Sequence, residues 1–152
     1  MTSQLNVDTI VDKAGTGGPT VQSPTLTEMT NTSTYVSDGG NVSQNTVQGL
    51  AKSWCNLNGT GTIAIRDSLN IASATDNGLG HYTFNISNDM GNANYAVTFG
   101  SSAANSVNDG GWLGIKYGTT NASGSFIVIT DGRTVGEYDP LYTIVSVLGD
   151  LA

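Results

Sequence analysis

Charge is scarce in this sequence, and positive charge most of all. Five Lys and Arg stand against twelve Asp and Glu in 152 residues, and charged residues make up 11% of the chain, where a soluble domain has roughly 25%. At a sequence pI near 4.1 there is no basic patch to neutralise phosphates, so no nucleic-acid partner is expected. One cysteine, Cys55, excludes a disulfide framework within the chain. No apolar run approaches the roughly 18–20 residues of a membrane-spanning helix, so no membrane partner is expected. Nor is the chain rich in the Ala, Glu, Lys and Leu of helical bundles. Its first residues, Met1-Thr2-Ser3-Gln4-Leu5-Asn6, lack a basic stretch followed by an apolar one. No secretory signal is expected, and synthesis in a cytosol is.

What is abundant is Gly, Thr, Ser and Asn, together 70 of the 152 residues. They fall into two textures. Residues 1–50 hold scattered apolar side chains, Leu5, Val7, Ile10 and Val21 among them, interrupted by Gly15-Thr16-Gly17-Gly18-Pro19 and Ser23-Pro24. Such a segment cannot bury enough apolar surface to form its own core. It reads as an extended N-terminal arm that orders, if at all, against another subunit, with those four residues as its attachment points.

Residues 51–152 read as one β-sandwich or jelly-roll-like domain. Short apolar runs are expected as strands at Lys52–Leu57, Thr62–Arg66, Leu69–Thr75, His81–Ser87, Tyr95–Phe99, Trp112–Tyr117, Ser125–Thr130 and Tyr142–Leu148. Between them lie turn signals such as Asn58-Gly59, Asp76-Asn77-Gly78 and Asp131-Gly132. Eight short strands at this spacing predict antiparallel all-β architecture. Two strands are apolar on both faces, Phe126–Ile129 and Tyr142–Leu148. A small sandwich has one interior, so their second faces need a second cover, either a neighbouring subunit or the N-terminal arm. Ile127, Ile129, Val145 and Val147 are the expected subunit-interface residues.

No catalytic constellation stands out, and the chain is not expected to be an enzyme. His81, the one histidine, falls on the polar face of its strand, and Cys55 reads as a buried inert thiol. No Gly-x-Ser-x-Gly elbow, dinucleotide fingerprint or phosphate loop is present. The carboxylates from Asp67 to Asp150 sit mostly at turn positions, where Asp bonds its own backbone. No cofactor and no metal are expected. Trp54, Trp112 and Tyr138 are the aromatics able to stack on sugar rings, against the alternative of core or subunit packing.

Two stretches resemble known proteins. Leu5-Asn6-Val7-Asp8-Thr9-Ile10, followed by Gly-rich sequence and Thr20-Val21, resembles the opening of many bacteriophage fibre and appendage proteins, especially those of marine and cyanobacterial phages. Ala51-Lys52-Ser53-Trp54-Cys55-Asn56-Leu57-Asn58-Gly59-Thr60-Gly61, continuing through Ile65-Arg66 to Asp76-Asn77-Gly78-Leu79-Gly80-His81-Tyr82, is similar to a repeated phage virion module. That module has the pattern Lys-x-Trp-x-Asn-Phe-Asn-Gly-Thr-Gly … Ile-Arg … Asp-Asn-Gly-x-Gly-x-Tyr. Cys55 departs from it, standing where an aliphatic residue is expected. The resemblance spans about half of the chain. It implies a virion structural protein, usually a homotrimer, whose partners are its own copies and other virion proteins of the capsid or tail. At 152 residues the chain is short for a whole receptor-binding fibre, which favours a capsid decoration (cement) protein or a short appendage. The alternative is a carbohydrate-binding tail-fibre module whose partner is a host surface polysaccharide.

Overall fold

Residues 81–86 set the rule for the interior. Tyr82, Phe84 and Ile86 are buried while His81, Thr83 and Asn85 face outward, as an antiparallel strand with one covered face requires. The computed structural model of the chain describes residues 34–36, 43–103 and 111–152, which belong to one compact unit, Asn31–Ala152. Among the described residues the regular structure is all strand: β1 (Thr34–Val36), β2 (Ser43–Asn45), β3 (Ala51–Asn58), β4 (Ala64–Leu69), β5 (Ile71–Asp76), β6 (His81–Ile86), β7 (Ala96–Ser101), β8 (Gly111–Ile115), β9 (Ser125–Gly132), β10 (Gly136–Glu137) and β11 (Thr143–Leu148).

The expected β-sandwich is present. One sheet runs β4-β3-β11-β7; the other runs β5-β6-β9 with β8 on the far edge of β9. All pairings are antiparallel. β10 extends the edge of β9 beyond the end of β6, pairing Glu137 with Asp131. The strand expected at Leu69–Thr75 is in fact two, because Asn70 takes φ 55° and turns the chain from one sheet into the other. Asn tolerates this left-handed conformation. Its side chain holds the corner, donating to the carbonyls of Lys52 and Asn88 and accepting from the Asn88 N–H at 2.7 Å.

Both layers supply the core. Cys55 and Leu57 of β3 and Val145 and Val147 of β11 meet Tyr82, Phe84 and Ile86 of β6 and Phe126 and Val128 of β9, with Met90 and Tyr95 filling one end. Phe84 and Phe126 stack with centroids 5.3 Å apart, and Tyr95 meets Phe126 edge-on. Burial pushes the Cys55 thiol up to about 11, with Asp67 adding to the shift.

Hydroxyls close both ends. The Tyr82 hydroxyl donates to Asp139 Oδ1 at 2.7 Å, and the same oxygen accepts the Gly80 N–H at 2.7 Å. Burial, then this hydrogen bond, holds the Tyr82 hydroxyl above the usual phenol range. At the opposite end the Tyr95 hydroxyl lies 2.8 and 2.9 Å from the carbonyls of Ala122 and Ser125.

One expectation needs correction. Val145 and Val147 do not line a subunit interface: both are fully buried in the core, and their outward neighbour is Ile144. Period-two alternation puts only one of the two sets inside, and the valines are that set. Within residues 1–50, β1 pairs with β2 in register Thr34 to Asn45. The arm residues Leu5, Val7, Ile10 and Val21 lie outside the described residues.

Candidate functional site

The three aromatics proposed to meet sugars do not come together. Trp54 is half-buried on the outer face of the β4-β3-β11-β7 sheet, because its neighbours Ser53 and Cys55 point inward. Trp112 stands on the outer face of the other sheet and is 54% exposed. Tyr138 is on neither: it is 9% exposed, and its hydroxyl donates to the Ser102 carbonyl at 2.5 Å. A Cβ at Gly111 would strike that hydroxyl, so the tyrosine is wedged beneath the start of β8 and is unavailable to a ligand.

Outward side chains of the second sheet form a grid fixed by strand register. Trp112 of β8 pairs with Asp131 of β9, which pairs with Glu137 of β10. The next outward row is Gly114, Ile129 and His81. The row after that brings Ile127 opposite Thr83, with the Lys116 N–H donating to the Ile127 carbonyl at 3.0 Å. The expected interface residues Ile127 and Ile129 therefore do face outward, each half-buried among these neighbours.

Three charged or polar groups on this face are linked. Lys116 Nζ lies 2.9 Å from His81 Nδ1, and His81 Nε2 lies 3.1 Å from Glu137 Oε1. Lysine can only donate, so Nδ1 accepts and the proton sits on Nε2, toward the carboxylate. The Nε2 contact is close in distance but lacks hydrogen-bond alignment. The His81 side chain is 15% exposed and that of Glu137 46%, so the imidazole is largely covered and the carboxylate is open to solvent.

The indole of Trp112 owes its pose to Gly114. A Cβ there would lie 3.2 Å from ring atom Cζ3 and 3.6 Å from Cε3. With hydrogen in its place, the ring lies along the strand over the glycine, and about half of the residue is left exposed. Asp131 and Glu137 read as turn residues in the sequence, and His81 as a lone polar strand residue. The signal that could have joined them is the strand pattern Trp112-x-Gly114-x-Lys116, a large, absent and charged side chain on one face.

The opposite outer face is more apolar. Leu69 pairs with Trp54, and Ile144 lies diagonally beyond Trp54, with Tyr142 further along. Leu69, Tyr142 and Ile144 are all exposed. Arg66 sits 4.4 Å above the Tyr142 ring and donates to the Leu141 carbonyl.

Among the described residues no group of three or more His, Cys, Asp and Glu is arranged to hold a metal ion. No helix of the described residues is long and apolar enough to cross a membrane. No family model, curated protein or solved structure matches the chain.

Proposed function

We propose that the chain is a bacteriophage virion structural subunit: a homotrimeric capsid decoration protein or short appendage that associates through its sandwich and attaches to the particle through its N-terminal arm. The observation that carries this reading is the diagonal of Leu69, Trp54, Ile144 and Tyr142 on the outer face of β4-β3-β11-β7. Exposed apolar side chains grouped on one sheet face mark a surface that another chain covers. The resemblance of residues 51–82 to a phage virion module supplies the class of particle. Low charge density supports the same reading, because charged groups are depleted from the centres of protein interfaces.

Light scattering on the purified chain tests the assembly. Three copies of 15.7 kDa give a particle of about 47 kDa. Mass spectrometry of washed virions tests the location, and the chain should appear among their structural proteins. A 15.7 kDa species at every concentration, together with absence from washed virions, overturns the reading.

A further inference from the structure

We propose that the outer face of β8, β9 and β6 binds a ring of a neutral sugar, with Trp112 as the stacking platform. The inference stands on residues that the assembly reading does not use, so the two succeed or fail separately.

The first observation is the pose of the indole. An isolated exposed tryptophan forgoes the gain of burying a large apolar surface. Here the cost is built in, because Gly114 provides a flat bed for one part of the ring and the residue stays 54% exposed. A pyranose offers what this surface lacks: a patch of C–H groups on one face, which packs on an aromatic ring, and hydroxyls around its rim.

The second observation is what surrounds the ring. Asp131 is the register neighbour of Trp112, and Glu137 is the neighbour of Asp131. Carboxylates accept hydrogen bonds from sugar hydroxyls, and such charge-assisted bonds are the stronger kind. One row away His81 accepts from Lys116 Nζ through the 2.9 Å contact at Nδ1. Groups already fixed lose little freedom when a ligand arrives.

Charge selects among sugars and argues against a second protein copy. Asp131 and Glu137 share the row of Trp112, and the whole chain carries a formal charge of −7. Sulfated and carboxylated glycans are repelled, while an uncharged one is not. A self-association surface concentrates apolar groups; the Ile144 face groups Leu69, Trp54, Ile144 and Tyr142, with Arg66 over the Tyr142 ring, whereas this face sets carboxylates directly beside Trp112.

The test is a titration of the full chain with dextran, mannan and galactan, using dextran sulfate as the anionic control, read by tryptophan fluorescence and ligand-observed NMR. At least one neutral polysaccharide should bind. Trp112→Ala should weaken that binding about tenfold or more, Trp112→Tyr should retain part of it, and Gly114→Val should weaken it by lifting the ring. Trp54→Phe should leave it unchanged, and light scattering should find the Trp112→Ala assembly unaltered. Failure of all three neutral polysaccharides to bind overturns the proposal. So does full binding by Trp112→Ala, or preference for dextran sulfate. A change of oligomeric mass in Trp112→Ala would assign this face to a second copy instead, and would also overturn it.

Discussion

On the outer face of β4-β3-β11-β7, the side chains nearest the middle are Trp54 and Ile144, with Leu69 and Tyr142 at either end of the diagonal. On the outer face of the other sheet, the middle is Ile127 and Ile129, bordered by Lys116, His81, Thr83, Asp131 and the Trp112 row. Both central strands, β9 and β11, are apolar on two sides, yet they end differently. Ile127 and Ile129 are half-buried because their register neighbours include long or ringed side chains. Ile144 is 47% exposed because its neighbours are Gly100, which has no side chain, and Asn56, which has a short one. An apolar outward residue thus becomes a sticky surface only when its cross-strand neighbours fail to cover it.

Adjacent residues of β11 offer the sharpest break of this comparison. Val145→Asp places an unpaired charge in a fully buried site, at a cost of about 3–5 kcal/mol or more, a large share of a domain's stability. Circular dichroism and limited proteolysis should find it unfolded. Ile144→Asp, one residue along, should keep the wild-type melting curve within about 0.5 kcal/mol while light scattering falls from the trimer mass to 15.7 kDa. If Ile144→Asp leaves the assembly intact, the apolar diagonal is not the interface.

Smaller effects separate the shared core from both faces. Tyr82→Phe removes the donor to Asp139 Oδ1 and should cost about 1–3 kcal/mol in urea unfolding, with assembly and polysaccharide binding unchanged in the folded fraction. Alkaline pH acts on the same interior. The folded-state pKa is about 11 for Cys55, raised from 9.0, and about 12 for Tyr95, raised from 10.0. The unfolded chain ionises first, so the stability from these neutral groups is complete below pH 9 and is lost through pH 9–11 for Cys55 and 10–12 for Tyr95. The urea midpoint should fall over that window, and fall less in Cys55→Ala. A midpoint flat from pH 8 to 11 contradicts the burial of the thiol. Smallest of all, Trp112→Ala should move the melting curve by no more than about 0.5 kcal/mol, since the residue is 54% exposed.

Much of the sandwich is legible in the sequence, because its signal is local. Alternation such as Tyr82-x-Phe84-x-Ile86 and turns such as Asp76-Asn77-Gly78 need no knowledge of distant residues. What alternation leaves undecided is which side faces in when both are apolar. Val145 and Val147 read as interface residues, and only the register of β11 between β3 and β7 makes them core. The Asn70 corner escaped notice because a single left-handed residue inside an apolar run has no sequence period. The candidate site is legible only in part. Trp112 could be chosen from its type, but Tyr138 could be rejected only once its hydroxyl was seen on the Ser102 carbonyl. Asp131, Glu137, His81 and Lys116 meet through pairings across 81–137, a span that no spacing rule connects.

β11 also has a consequence for how the protein is made. It is the last strand in order among the described residues, yet it lies between β3 and β7 and holds them in one sheet. During synthesis that sheet must stay open until residue 148 has left the ribosome, because β3 and β7 have no direct pairing to fall back on. A prematurely terminated chain therefore has no closed sandwich and no Ile144 diagonal. Both the closed sheet and its outer apolar diagonal therefore wait on residues 143–148, the segment that joins two strands made long before it.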